Sequence, residues 1–297
     1  MKKTRRIYLV LLAAILIPAQ QSCELIDQST TGLTNDEIIQ GLKTALTVGT
    51  DSSVFITSQA NGYYKDKLIK IALPEEANNM ITTINYIDKI PKLGALINST
   101  IDLKGMVSKT ELSLNRAAES AAKTAAPIFK KSITDLSITN ALNILQGKST
   151  NKSTAGFDSI AATNYLRNTT YDQLVISYSK PVDSVLNVPI SEIGFTPNSA
   201  WTTLVSNYNV VVGYAQTLLN TPLLSIGLSA DEITMLKQFK PVTEGTLGQY
   251  VTKRALDGLF IKVADQERSI RQNPAKWISN TLNDIGSILQ KVFGGSN

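Results

Sequence analysis

Apolar residues recur at three- and four-residue intervals along most of this chain, and the strict alternation of a half-buried strand is scarce, so the pattern predicts an all-α fold. Thr34-Asn35-Asp36-Glu37 has the form of a capping box, in which the Thr34 hydroxyl takes an orphan amide while Glu37 reaches back. Ile38, Leu42, Ala45 and Leu46 follow on one face. Gly49 marks the expected end of that helix and Asp51 the start of a second, short one through Val54, Phe55 and Gln59, closed by Asn61-Gly62. Tyr63 to Leu73 reads as irregular. It leads into Pro74, whose fixed φ and missing N–H suit the first turn of a helix that carries Glu75 and Glu76 and runs to about Lys89.

The longest helical pattern lies between Pro91 and Leu136, with a break expected near Gly105 and a kink or restart at Pro127. Its second half is alanine-rich: Ala117, Ala118, Ala121, Ala122 and Ala125 let another helix approach closely, which predicts a long central Ala-rich helix in a multi-helix bundle. Ser137 is the expected cap of a short helix through Ala141, Leu142 and Leu145 that stops at Gly147. Residues 147–157 read as a long surface loop rather than a domain linker, because composition is similar on both sides. Helices are then expected at about 158–168 and 171–187, the second kinked by Pro181, and from Asn198 or Ser199 to just before Pro222. Ser229-Ala230-Asp231-Glu232 is a second capping box, leading a short helix to Phe239. From Thr243 a long amphipathic helix carries Leu247, Val251, Ala255, Leu259 and Val263 to Asn273-Pro274, and a last one runs from Ala275 to about Val292. No fixed repeat period emerges, which speaks against a solenoid.

The first residues follow a different rule. Lys2, Lys3, Arg5 and Arg6 precede an unbroken apolar run from Ile7 to Ile17, then Pro18 to Ser22, then Cys23, the only cysteine. This is an export signal with lipoprotein processing, since thioether attachment of a diacylglycerol needs a sulfur at the new amino terminus. Gln20 and Gln21 depart from the aliphatic and small residues usual at a lipobox. The alternatives fare worse: Pro18 to Ser22 supplies no A-x-A-like site for ordinary cleavage, and the apolar run falls short of the about 20 residues that span a bilayer. The expected organisation is a signal peptide at 1–22, a lipidated Cys23 with a spacer over 23–33, and one helical domain over 34–294. The expected place is the bacterial cell envelope, periplasmic or surface side, with the outer membrane as the favoured anchor point.

Losing residues 1–22 removes four basic residues and no acidic one, so the net charge of +5 falls to +1. Nucleic acid is then not an expected partner, because it requires a concentrated basic face. The remaining length suffices to bury about 70–75% of the surface an unfolded chain exposes. With the sole thiol committed to lipid, stability rests on packing rather than disulfides.

Four stretches carry a family resemblance: Leu112 to Glu119, Ala141 to Gly147, Ala161 to Arg167, and Val251 to Phe260 with Glu267, Ile270, Arg271 and Pro274. In this order they resemble the exported bacterial family named domain of unknown function 4197, over about residues 33–294. The resemblance implies a helical, envelope-located protein and no reaction. Asn140 and Asn164 stand where the family pattern has aspartate, which leaves those positions without a catalytic acid.

Chemistry narrows by exclusion. The chain has no His, so the commonest general base and imidazole zinc sites are missing. No phosphate loop, nucleotide fingerprint or calcium loop occurs, and Ser108-Lys109 and Ser179-Lys180 lack the S-x-x-K spacing. No catalytic residue, metal or cofactor is expected. Two clusters remain as candidate ligand or partner sites, Asn115, Arg116 and Glu119, and Lys253, Arg254 and Asp257, whose members meet at i+3 and i+4. Either they clamp the bundle internally or they line a groove. The favoured function is a lipid-anchored envelope accessory or interaction protein without catalytic activity, joined to the membrane by its anchor and to an unknown envelope protein. The alternatives are a periplasmic carrier for an apolar ligand and, behind it, a carboxylate-based hydrolase.

Overall fold

The computed structural model describes residues 33–97, 101–139, 141–148, 156–243, 245–274 and 283–294. The expected signal peptide, Cys23, the spacer to residue 32, Asn140, most of the 147–157 loop and the first part of the last helix lie outside them.

Among the described residues the regular structure is helical, apart from an isolated bridge between Lys148 and Phe157 that brings together the two ends of the 147–157 loop. In chain order the helices are α1 (Asn35–Thr57), α2 (Glu76–Ile84), a 3-10 turn (Ile87–Lys89), α3 (Pro91–Ile97), α4 (Leu103–Ala122), α5 (Ala125–Asp135) and α6 (Ala141–Leu145). Then come α7 (Ala161–Leu186), α8 (Pro197–Asn220), α9 (Pro222–Ser225), α10 (Ala230–Leu236), α11 (Leu247–Gln272) and α12 (Asn283–Phe293). This is the expected all-α bundle.

Both capping boxes form: the Thr34 and Ser229 hydroxyls accept from the Glu37 and Glu232 amides, and each carboxylate returns to the cap N–H. Proline 127 is a restart. With α4 ending at Ala122 and α5 beginning at Ala125, Pro127 falls in a first turn, where its missing N–H costs no intrahelical bond.

Several boundaries differ from expectation. Helix α1 runs straight through Gly49 and Asp51, because Gly49 is buried against Val263 and Gln266 of α11 and serves a helix crossing rather than a stop. The two helices expected at 158–168 and 171–187 are one, α7. Leu166, Thr170 and Leu174 keep its buried stripe unbroken, and packing overrides the poor propensity of Asn168-Thr169-Thr170. Pro181 also sits inside α7 without ending it. Ser137 does not cap α6; its carbonyl instead accepts the Tyr165 hydroxyl at 2.8 Å. The break near Gly105 is a helix start, where the Asp102 carboxylate accepts the Gly105 amide at 2.8 Å. Only the 3-10 turn, not α2, reaches Lys89.

Helix α11 forms the axis, with α1 and α7 along it. Both run antiparallel to α11: Gly49 of α1 meets Val263 and Gln266 while the segment after α1 meets Gly258, and in α7 Ala162 meets Glu267 while Asp183 meets Gly248. Helix α5 lies antiparallel to α1, joined by Lys43 to the Thr134 carbonyl at one end and by Lys130 to Asp51 at the other. Helix α4 packs on α8, and its alanines 117, 118, 121 and 122 are all buried. Helix α12 closes over the start of α1, Val292 resting on Gly41. One hydrophobic cluster runs from Leu33 to Phe293.

Candidate functional site

The Asn115 cluster faces inward. Between α1 and α2 the chain passes over α4 and α11 as an irregular strap, residues 61–73, entered through Asn61 in the left-handed region at φ 69°. A strap without regular structure leaves its amides needing partners. Asn115, fully buried, supplies both kinds: its Oδ1 accepts the Ile71 N–H and its Nδ2 donates to the Ile71 carbonyl, each at 2.8 Å. Glu119 Oε1 accepts the N–H groups of Tyr63 and Tyr64, both at 3.1 Å. Arg116 holds the other Glu119 oxygen at 2.7 Å and forks onto Glu192, beyond α7, at 2.6 and 3.1 Å. Its Nη2 also donates to Asn61 Oδ1 at 3.3 Å. The Glu192 hydrogen bonds, followed by Glu119, raise the Arg116 pKa against the cost of burial, and Arg116 in turn lowers that of Glu192. Arg116 and Glu119 are thus paired with each other, and all three residues hold the strap.

The second cluster is not brought together within its own helix. Asp257 turns to α7, accepting Arg167 Nη2 at 2.5 Å and the Tyr171 hydroxyl at 3.0 Å, and Arg167 lies 5.0 Å from the Tyr171 ring centroid. Burial first, then the Asp257 charge, pushes the Tyr171 phenol up to about 12. Arg254 stacks on Tyr250 at 5.4 Å, and Lys253 is exposed.

A third cluster was not singled out from the sequence as a site. Glu267 accepts the amides of Ala162 and Thr163 at 3.0 and 2.7 Å and the Thr163 hydroxyl at 2.6 Å, which satisfies the first turn of α7. Arg271, one turn on, bonds Glu267 at 2.7 Å and donates to the Leu145 and Ile144 carbonyls at 2.7 and 3.0 Å, which satisfies the end of α6. One buried ion pair therefore ties two helix ends to α11. The available signal was a carboxylate in line with Leu256, Phe260, Val263 and Ile270, on the buried stripe.

Clefts open at the surface of the described residues. One of about 580 Å³ lies between α5 and α7, lined by Ser132, Ser137, Thr169 and Gln173 among others, and one of about 710 Å³ lies where α7 ends and α8 and α11 begin, beside Asp183, Trp201 and Gly248. Among the described residues, the carboxylates whose titration is displaced, Glu37, Asp66, Glu192 and Glu232, are displaced downward, opposite to the direction a general acid needs. Among the described residues no helix is long and apolar enough to cross a membrane.

No curated protein and no solved structure matches this chain. The family described as protein of unknown function (DUF4197) matches residues 32–294. That span contains every helix above and all three clusters, and the chain belongs to the DUF4197 family.

Proposed function

We propose that the protein is a lipid-tethered accessory or interaction protein of the bacterial cell envelope, with no catalytic activity of its own. The observation that carries this reading is the use made of its polar groups. Asn115, Arg116, Glu119, Asp257, Glu267 and Arg271 bond to the protein's own backbone and side chains, so the residues best placed for chemistry serve the fold. The downward displacement of the titrating carboxylates also tells against a hydrolase. The carrier alternative needs room for an apolar ligand in an interior rich in alanine and leucine, and against it the alanines of α4 are buried among packed helices. The tether rests on the leader and Cys23.

The test is metabolic labelling with a fatty-acid probe, combined with Cys23→Ala and crosslinking in intact cells. Label on the wild type, release of Cys23→Ala from membranes and capture of envelope proteins are expected. An unlabelled wild type whose Cys23→Ala form stays membrane-bound would overturn the tether, and a lipid-sized mass co-purifying with the protein would favour the carrier.

A further inference from the structure

No Asp, Glu, Lys or Arg occurs between Glu192 and Asp231, although 18% of the chain is charged. This stretch builds α8, the α9 turn and their flanks. One side of α8 is core: Trp201, Leu204, Tyr208, Val211, Val212 and Ala215 are buried. The other carries Thr203, Ser206, Val210, Gly213, Tyr214 and Thr217 at helical spacing, with Val210 44% and Tyr214 42% exposed. Beyond Asn220 the turn exposes Leu223 at 78% and Ile226 at 68%. The turn is fixed in place, since Lys92 donates to the carbonyls of Leu224 and Ile226.

A solvated helix face normally carries charge, whereas the core of an interface is depleted of it. Gly213 makes a separate argument. Glycine within a helix costs about 1 kcal/mol relative to alanine, and nothing in this protein lies within 4 Å of where its Cβ would stand. The fold has no use for that small residue, but a helix arriving from outside does. A membrane-surface helix would place Lys and Arg on its polar positions; here those positions are Thr, Ser and Asn. The complement of a charge-free face must itself be free of charge, and a second copy of α8 is such a face. Two copies meeting about a two-fold axis set this stretch against itself with no like-charge repulsion. With 24 residues α8 is about 36 Å long. With the α9 turn it offers area of the order of the roughly 800 Å² per partner of a standard interface.

We propose that α8 and the α9 turn pair antiparallel with the same face of a second copy, about an axis near Val210. The pairing does not depend on the lipid anchor. Single-cysteine variants of the full chain, Ser206→Cys, Val210→Cys and Tyr214→Cys, are oxidised mildly in intact cells beside Lys131→Cys, an exposed position on α5; Cys23 is common to all. At least one α8 variant is expected to give disulfide-linked dimer some tenfold above Lys131→Cys. Dimer at the Lys131→Cys level throughout, or an adduct of another mass, overturns the proposal, the second in favour of a different protein. Sedimentation of purified full-length wild type should give a dimer and Val210→Lys a monomer with unchanged helical circular dichroism and a melting temperature that no longer depends on concentration. A wild type that is monomeric at every concentration also overturns the pairing.

Discussion

Two buried carboxylates are held alike. Glu119 and Glu267 each accept two consecutive backbone amides and each pair with an arginine one turn away. Removing one member of such a pair leaves the other charged and dry, which costs about 3–5 kcal/mol. Arg271→Met should therefore lower unfolding free energy by about that amount, because it strands Glu267 and takes from the Leu145 carbonyl its arginine donor, while Ile144 keeps only the Gly147 N–H. Urea denaturation checks this, and a loss below about 1 kcal/mol would class the pair with surface salt bridges. The tyrosines give a pH dependence of definite sign. Burial pushes up the phenols of Tyr63, Tyr178, Tyr208 and Tyr250, and Tyr171 reaches about 12 against an ordinary value of about 10. Above pH 10 the unfolded chain releases protons that the folded one keeps, so this contribution is complete below about 10 and, for Tyr171, is lost between about 10 and 12. The urea midpoint should fall across that window, and Tyr171→Phe should shallow the fall.

At the level of elements, two contacts invite a direct test. Gly258 lets the strap lie close to α11; a Cβ there would stand 2.6 Å from Tyr63 Cε1 and 3.2 Å from Ile69 Cβ. Gly258→Ala should destabilise by about 1–3 kcal/mol from overpacking, despite the gain in helix propensity, as thermal melting would show. Glu37 joins α1 to α12 through Lys291, and that hydrogen bond, followed by those from Thr34, lowers its pKa from 4.5 to about 2. Its contribution is present above about 4.5 and disappears as pH falls towards 2, so amide protection at the start of α1 and in α12 should drop in that interval ahead of α11. Helix existence was readable because caps are local: Thr34-Glu37, Ser229-Glu232 and Pro127 each act within a single turn. Joins were not readable, because Gly49 and the Asn168-Thr169-Thr170 run owe their helical state to α11, far along the chain. The Asn115 and Glu119 cluster was legible as polar positions on a helix, but the strap they hold leaves no periodic trace. Glu267 and Arg271 bind the ends of other helices, a relation that no spacing along α11 encodes.

At the scale of the whole molecule, the earliest described helix is packed on the latest. Leu42 and Leu46 lie fully buried on α1, whose neighbours include α11 and α12, and Val292 sits on Gly41. A chain stopped before Leu247 should therefore lose cooperative melting while keeping some helical circular dichroism; a sharp transition in it would show that α1 to α10 can stand alone. This arrangement also bears on biogenesis. A polypeptide emerges from the ribosome amino end first, and contacts this distant in sequence form last. Until α11 and α12 have been synthesised, α1 has only the part of its seat that α5 and α6 supply, so a nascent chain holds its first helix half-covered until its last helices emerge.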